Sequence, residues 1–352
     1  MKLNSQEYMN GYKYYRAFTL GLASVKGDMN QELLGEKEID TDAESMAIKS
    51  EVAYYRGDVS KAKRLSEKSI KLAIANNQWD TVMMAASMLG KCAVFMGDII
   101  IWEKAFSSIE EACGRDATLV QSGQWMRNIL YTAVEMLDMI DDCICDETND
   151  SIMEIENLNI VRFMRVGCYF GKGDLEKVSE ICMAAREEFR GTGAPVFMYN
   201  SMALASVYTF SEDNDKVLWV LKEALDEAKK TGLIMPIAEM GSPVITYLSN
   251  KNFPDYADTL NKIRALNREY LSGLLKIHGY ICENDLLSEL TPKEFAVVKC
   301  AADGLHNSEI AEKMSISQNT VKSYLKIAFE KLGVRKRKDL GAALDNLKDA
   351  TK

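Results

Sequence analysis

Proline is scarce in this chain, 5 among 352 residues, and so rare a breaker leaves room for long uninterrupted helices. Strand-type alternation of apolar and polar residues is missing too, while Met, Ala, Leu, Glu and Lys are plentiful, so the expected fold is all-α. Histidine is reduced to His278 and His306. Two residues so far apart do not make a catalytic triad, and acidic pairs such as Asp141-Asp142 read as a solvated helix end. No constellation supports catalysis, and an enzyme is not expected. The 8 cysteines follow no framework spacing, Cys143-Ile144-Cys145 being the one close pair. They read as reduced, mostly buried structural thiols, and no metal site is expected. No apolar run reaches the ~18 residues of a membrane span, and MKLNSQEYMNGYKYYRAF has no signal core. A cytoplasmic protein without membrane contact is expected.

Charge is unevenly spread. Residues 286–352 hold 12 basic and 9 acidic side chains, leaving 31 against 43 for residues 1–285. A basic end beside an acidic remainder confines any affinity for phosphates to the C-terminal part. With 47% apolar and 27% charged residues, the chain belongs with soluble globular proteins, and its length suggests two or three units.

The basic end reads as four short helices. Thr291, Pro292 and Glu294 form a capping box with proline at the first helical position, and Gly304 ends that helix. A second helix starts near His306 or Asn307 and buries Ile310, Ala311 and Met314. Ser317 caps a third, whose apolar stripe is Val321, Leu325, Ala328 and Leu332, and Gly333 closes it. The opposite face carries Asn319, Lys322, Ser323, Lys326 and Ile327. Between Ser315 and Lys338 stand 7 Lys or Arg against one Glu. Such a helix suits a DNA major groove, with lysines on phosphates and polar groups at base edges, Ile327 either touching a thymine methyl or packing near Tyr324.

These residues resemble the LuxR/GerE-type helix-turn-helix of bacterial transcription regulators. The matching positions are Leu290-Thr291 with Glu294, Gly304-Leu305, Glu309-Ile310-Ala311, Ile316-Ser317, Thr320-Val321-Lys322, Leu325, Lys331-Leu332-Gly333-Val334 and Arg337. The resemblance implies that the helix from Gln318 to Leu332 is the recognition helix, and that the helix after Arg337 pairs with its copy in a dimer. His306 stands where the family usually has Ser or Thr, Tyr324 where His is frequent, and Lys336 where Ser or Asn is common; these departures bear on base preference. The expected DNA-binding set is Asn319, Thr320, Lys322, Ser323, Lys326, Ile327, Arg335 and Arg337. On the final helix, Leu340 joins the module's core, and Ala343, Leu344 and Leu347 leave an apolar strip for dimerisation.

The first 275 residues repeat. Gly-Asp pairs stand at Gly57-Asp58, Gly97-Asp98 and Gly173-Asp174, 40 and 76 residues apart; Asp213 comes 39 residues after Asp174. A degenerate copy belongs near residue 136 and a partial one near Gly27-Asp28. Before each Gly lies an apolar face, such as Ile48, Val52 and Tyr54, or Met88, Cys92 and Val94, or Met164, Cys168 and Phe170. After it lies another: Val59, Ala62 and Leu65; Ile99, Trp102 and Ala105; Leu175, Val178 and Ile181. Glycine closes one helix and Asp caps the next, so each unit is an antiparallel pair. A pair alone cannot bury its apolar faces, whereas five or six stacked pairs form a curved solenoid.

This array resembles tetratricopeptide-like repeats, and its period is similar to that of the sensor domain of MalT-like LuxR regulators. Helix pairs around Pro243 to Ile277 are expected to complete it. The resulting division is residues 1–277 for the repeat domain, 278–288 for a linker and 289–352 for the DNA-binding module. Those large regulators also carry a nucleotide-hydrolysing domain, yet no G-x-x-x-x-G-K-[ST] loop occurs here, Gly90-Lys91 lying inside a repeat helix. Either the protein dispenses with ATP or that domain belongs to another part of a longer chain; no cofactor is expected. Tyr12, Tyr14, Tyr15, Trp79, Trp125, Tyr169, Tyr199 and Tyr208 either line a concave groove or belong to the inter-repeat core.

The expected function is a sequence-specific transcription regulator, an activator, that senses a small-molecule or protein ligand through the repeats. It is expected to meet double-stranded DNA as an inverted repeat, a second copy of itself, and RNA polymerase. The alternative is an interaction scaffold whose C-terminal module docks a protein, and a sigma-factor-like subunit is disfavoured because no promoter-melting region is evident.

Overall fold

The computed structural model describes residues 42–140, 142–145, 147, 155–191, 194–240, 242–250, 253–282, 292–302, 304–314, 316–332, 334, 336–341 and 343. Every regular element among them is helical. The chain divides into two compact units, residues 1–273 and 274–352. The sequence copy at Gly27-Asp28 and the residues Tyr12, Tyr14 and Tyr15 lie outside the described residues.

In the first unit, α1 (Ala43–Tyr55) pairs with α2 (Val59–Ala75), and α3 (Trp79–Met96) with α4 (Ile99–Arg115). Then come α5 (Val120–Ala133), α6 (Ile155–Lys172) with α7 (Leu175–Phe189), and α8 (Pro195–Phe210) with α9 (Asn214–Thr231). The pair turns share one mechanism. Gly57, Gly97, Glu135, Gly173 and Glu212 are left-handed, with φ of 86°, 61°, 60°, 74° and 56°. In each case the next N–H donates back across the turn: Asp58 to Ala53 O, Asp98 to Ala93 O, Met136 to Tyr131 O, Asp174 to Tyr169 O and Asp213 to Tyr208 O, all at 2.9–3.1 Å. This satisfies a helix-end carbonyl that would otherwise be orphaned. The Asp carboxylates then accept from the N–H groups of Lys61, Ile101, Lys177 and Lys216.

The degenerate copy keeps the turn and loses its second helix. Met136 offers no acceptor for a helix start, and two 3₁₀ turns, Leu137–Met139 and Asp142–Cys145, stand in that helix's place. Glu135 and Glu212 adopt a backbone that favours glycine, which is why the motif fades from the sequence at both places.

Helices α3 and α8 are buried on every side, from Thr81 to Phe95 and from Pro195 to Val207. An all-round apolar helix needs neighbours on all faces, and the end of the repeat unit supplies them. After α9 come α10 (Met235–Ala238), α11 (Ser242–Asn250) and the long α12 (Ala257–Cys282). The expectation that this stretch adds further pairs to the array is corrected by the contacts of α12. A Cβ on Gly57 would meet Leu266 Cδ1 at 2.7 Å, and one on Gly273 would overlap Val94 O and Phe95 O. Tyr270 Oη donates to Ala133 O at 3.0 Å. Helix α12 therefore crosses the C-terminal ends of α1, α3 and α5, and its apolar face fills a place that another pair would have left empty. It also runs on to Cys282, past His278 where the linker was expected to begin. Tyr280, Ile281 and Cys282 extend the apolar pattern, and one interior Gly279 costs only about 1 kcal/mol. Residues 283–290 lie outside the described residues.

The array also curls. Tyr55 of α1 and Tyr199 of α8 meet edge to face with ring centroids 6.3 Å apart. Between them, Lys91 Nζ lies 3.3 Å from Glu239 Oε1 and 3.0 Å from Tyr199 Oη, and Glu239 accepts from the hydroxyls of Tyr54 and Tyr199. Of the aromatic residues, Trp125 and Tyr199 are core, whereas Trp79, Tyr169 and Tyr208 are partly exposed. Arg115 covers the Trp79 ring and Lys216 the Tyr208 ring.

Two glycines of α12 separate close approach from mere helix propensity. Gly273→Ala has no room against the α3 carbonyls and is expected to destabilise by at least about 1–3 kcal/mol. Gly279→Ala meets nothing and is expected to stabilise by about 0.5–1 kcal/mol. Urea unfolding of the two variants checks both signs.

Candidate nucleic-acid interface

The second unit contains α13 (Pro292–Ala302), α14 (Asn307–Lys313) and α15 (Gln318–Lys331), followed by a 3₁₀ turn at Arg337–Asp339. Val297, Val298, Cys300 and Ala301 from α13 meet Ile310 and Ala311 from α14, Val321, Leu325 and Ala328 from α15, and Leu340. Each fully buried Val, Leu or Ile contributes about 1.5–3 kcal/mol, which holds a unit this small. Gly304 is left-handed at φ 91° and closes α13. His306 N–H donates to the Glu309 carboxylate, so the acid three residues on completes the start of α14. Thr291 and Gly333, expected at a cap and a closing turn, lie outside the described residues.

Ser317 caps α15: its Oγ accepts from Thr320 N–H at 3.1 Å and lies 2.8 Å from Thr320 Oγ1. With Val321, Leu325 and Ala328 facing the core, Asn319, Lys322, Ser323, Lys326 and Ile327 are all exposed. Lys322 and Lys326 stand one turn apart on one face. Ile327 is 39% exposed, an unusual place for so large an apolar side chain.

The remaining expected contacts part company with this face. Thr320 is half-buried and its hydroxyl serves the cap, while Ser323 Oγ donates to Asn319 O at 3.0 Å. Arg337 is half-buried, with Nη1 2.6 Å from Asn307 Oδ1 and Nη2 donating to Leu305 O. Its guanidinium thus latches the 3₁₀ turn to the start of α14, a use that the run Arg335-Lys336-Arg337-Lys338 does not reveal. Lys336 and Lys338 are exposed. Ala343 is half-buried; Arg335, Leu344 and Leu347 lie outside the described residues.

Residues 288–342 match the family described as bacterial regulatory proteins, luxR family. The C-terminal unit is a LuxR-type domain. The chain is 32% identical, over 82 positions, to the DNA-binding transcriptional activator DevR/DosR of Mycobacterium tuberculosis, covering 23% of this chain and 38% of that protein. It is 43% identical over 56 positions to the transcriptional regulatory protein DesR of Bacillus subtilis, covering 15% of this chain and 28% of that one. The HTH-type transcriptional regulator MalT of Vibrio parahaemolyticus is 18% identical over 331 positions, covering 86% of this chain and 36% of MalT. The chain thus spans less than two fifths of the length of each of these relatives. No solved structure matches. No described helix is long and apolar enough to cross a membrane.

One thiol of the repeat unit departs from the inert, buried set. Cys92 and Cys182 are fully enclosed, and burial pushes the Cys182 thiol up to about 12. Cys145 is partly exposed and held at about 6, first by a hydrogen bond from Cys168 and then by the Lys172 and Arg165 cations, against the effect of burial. Lys172 Nζ lies 3.8 Å from its sulfur.

These placements carry two expected outcomes. Arg337→Ala is expected to lower hydrogen-exchange protection of α14 by about 1–3 kcal/mol, with Lys322→Ala leaving it unchanged. At pH 7, iodoacetamide is expected to label Cys145 before Cys92 and Cys182, because a thiol with a lowered pKa is already thiolate there; the rate should fall as pH drops through about 6. Peptide mapping of the alkylated protein reads the order.

Proposed function

We propose that this chain is a sequence-specific DNA-binding transcription regulator, an activator, in which the LuxR-type domain reads DNA and the repeat unit senses a ligand. The observation that carries the reading is the capped helix α15, which presents Asn319, Lys322, Lys326 and Ile327 together on an exposed face over a packed three-helix core. Lys322 and Lys326 serve as phosphate contacts, with Lys326 also within the reach of a guanine edge; Asn319 and Ser323 read base edges; Ile327 packs on a thymine methyl. Thr320 contributes by ordering the first turn of the helix, and Arg335 approaches the backbone. Arg337 acts on DNA only by holding the module together. The activating role is taken from the relative named as a transcriptional activator, and an activator engages RNA polymerase. Ala343, Leu344 and Leu347 pair two copies on an inverted repeat, which adds the discrimination of two half-sites.

Selection of bound duplexes from a random pool by the full chain is expected to yield an inverted repeat; failure to enrich any sequence, together with capture of no duplex at low salt, overturns the reading in favour of a protein-docking module. On the selected site, Lys322→Ala is expected to weaken binding for all sequences and to reduce the salt slope by about one unit, measured by fluorescence anisotropy from low to high salt. Lys326→Ala should weaken binding with more dependence on sequence. Leu347→Glu should leave single half-site binding intact and abolish cooperative filling of both half-sites in a mobility-shift titration.

A further inference from the structure

The repeat unit contains a cavity of about 190 Å³ between the first helices of its pairs. Lys91 of α3, Ile129 and Ala133 of α5, Phe163 and Phe170 of α6, and Ala203 of α8 are among the residues that line it, with Tyr270 of α12 on the closing side. Among the described residues no second helix contributes. The cavity adjoins the pair whose second helix is replaced by 3₁₀ turns, and left-handed Glu135, at φ 60°, sits in its wall. A strained residue beside a preformed space is a common sign of a ligand site.

The chemistry of the wall selects the ligand. Most of it is apolar side chain, and the volume is somewhat larger than the ~150 Å³ that accommodates benzene in an apolar protein cavity. Its polar members are Lys91, Tyr199, Asn200 and Glu239, with Thr132, Glu135 and Tyr270 also in the wall; the Thr132 hydroxyl already donates to Asn128 O. Lys91 gives N–H groups to Tyr199 Oη and Glu239, which leaves the third donor of its ammonium for a guest. Asn200 Nδ2 donates to Val196 O at 2.8 Å, which leaves Oδ1 as the acceptor this amide offers the cavity. The Lys91–Glu239 pair is already neutral, so a carboxylate guest would bring an uncompensated negative charge beside Glu239. A polyhydroxylated guest would strand hydroxyls against Ile129, Phe163 and Phe170, at a cost of about 1–3 kcal/mol each. A single hydroxyl finds both a donor, in Lys91, and an acceptor, in Asn200 Oδ1, among the lining groups.

We propose that this cavity binds a neutral, single-ring molecule bearing one hydroxyl group, of the phenol or cyclic-alcohol class, between α3, α5, α6, α8 and Tyr270 of α12. The inference rests on the sensing role proposed for the repeat unit and names its ligand. Tyr270 joins the cavity to the backbone of α5 through its bond to Ala133 O, so occupancy bears directly on the helix by which the chain leaves the repeats.

The test uses the full chain and p-cresol as probe, with benzoate and glucose as comparators, by calorimetric titration. One-to-one binding of p-cresol without binding of benzoate or glucose is expected. Val166→Phe, which fills the cavity from a half-exposed lining position, should weaken p-cresol by at least about tenfold. Asn200→Leu should abolish the preference for p-cresol over toluene, and circular dichroism melting identifies either variant that has lost its fold. No p-cresol binding to the parent, equal binding to a folded Val166→Phe, or equal binding of benzoate overturns the proposal. Anisotropy with the selected DNA is run on the same samples. DNA binding without p-cresol binding sinks the cavity assignment alone, whereas p-cresol binding without DNA binding sinks the regulator reading and leaves the cavity standing.

Discussion

One buried carboxylate, Glu239, draws the repeat unit together. In a stack of helix pairs each unit touches only its neighbours, and stability is roughly the sum of nearest-neighbour terms. Glu239 breaks that pattern by meeting Lys91 of α3, Tyr54 of α1 and Tyr199 of α8 at once. The side chains of Lys91 and Glu239 are only 7% and 8% exposed, so losing either would leave a buried charge without its partner, at about 3–5 kcal/mol. The surrounding phenols stay protonated, because burial and then the Glu239 carboxylate push Tyr54 and Tyr199 well above the ordinary tyrosine range. Three tyrosine rings also face the ammonium within about 5 Å, and that contact is stronger away from water. The meeting of α1, α3 and α8 with the turn after α10 depends on this cluster, and Lys91, Tyr199 and Glu239 of it also line the cavity.

The two units put their cations to opposite uses. In the repeat unit, Lys91 and Arg186 are enclosed, Lys91 beside Glu239 and Arg186 between Glu223 and the rings of Phe197 and Trp219. They join helices to one another. In the LuxR-type domain, Lys322 and Lys326 stand in solvent on a helix whose other face is packed, where a cation keeps its hydration. Arg337 shows that location within the basic run does not settle the role: a planar fork that reaches Asn307 Oδ1 and Leu305 O at once is committed to holding the fold.

Much of the repeat architecture was legible because its turns depend on local chemistry. A left-handed residue followed by an Asp cap is a short-range device, so Gly57-Asp58, Gly97-Asp98 and Gly173-Asp174 announce it directly. Where Glu135 and Glu212 take the same conformation, the signal fades although the turn persists, since the hydrogen bond across the turn comes from the backbone. The capped α15 with its apolar stripe was legible for the same reason. The role of Lys91 was not, although a lone lysine inside MMAASMLGKCAVF marks a buried cation in need of a partner. That partner, Glu239, lies far along the chain, and no periodicity links them.

The sequence by itself determined the helical class, the period, the Gly-Asp turns, the Ser317 cap and the LuxR-type character of the last sixty or so residues, because these arise from short-range backbone geometry and the spacing of apolar faces. Only the tertiary structure decided that α12 folds back across the ends of α1, α3 and α5, that a cavity lies beside the incomplete pair, and that Arg337 faces inward. Those outcomes depend on which distant surfaces exclude water together, and a helix pattern of 3.6 residues specifies a buried face without specifying what covers it.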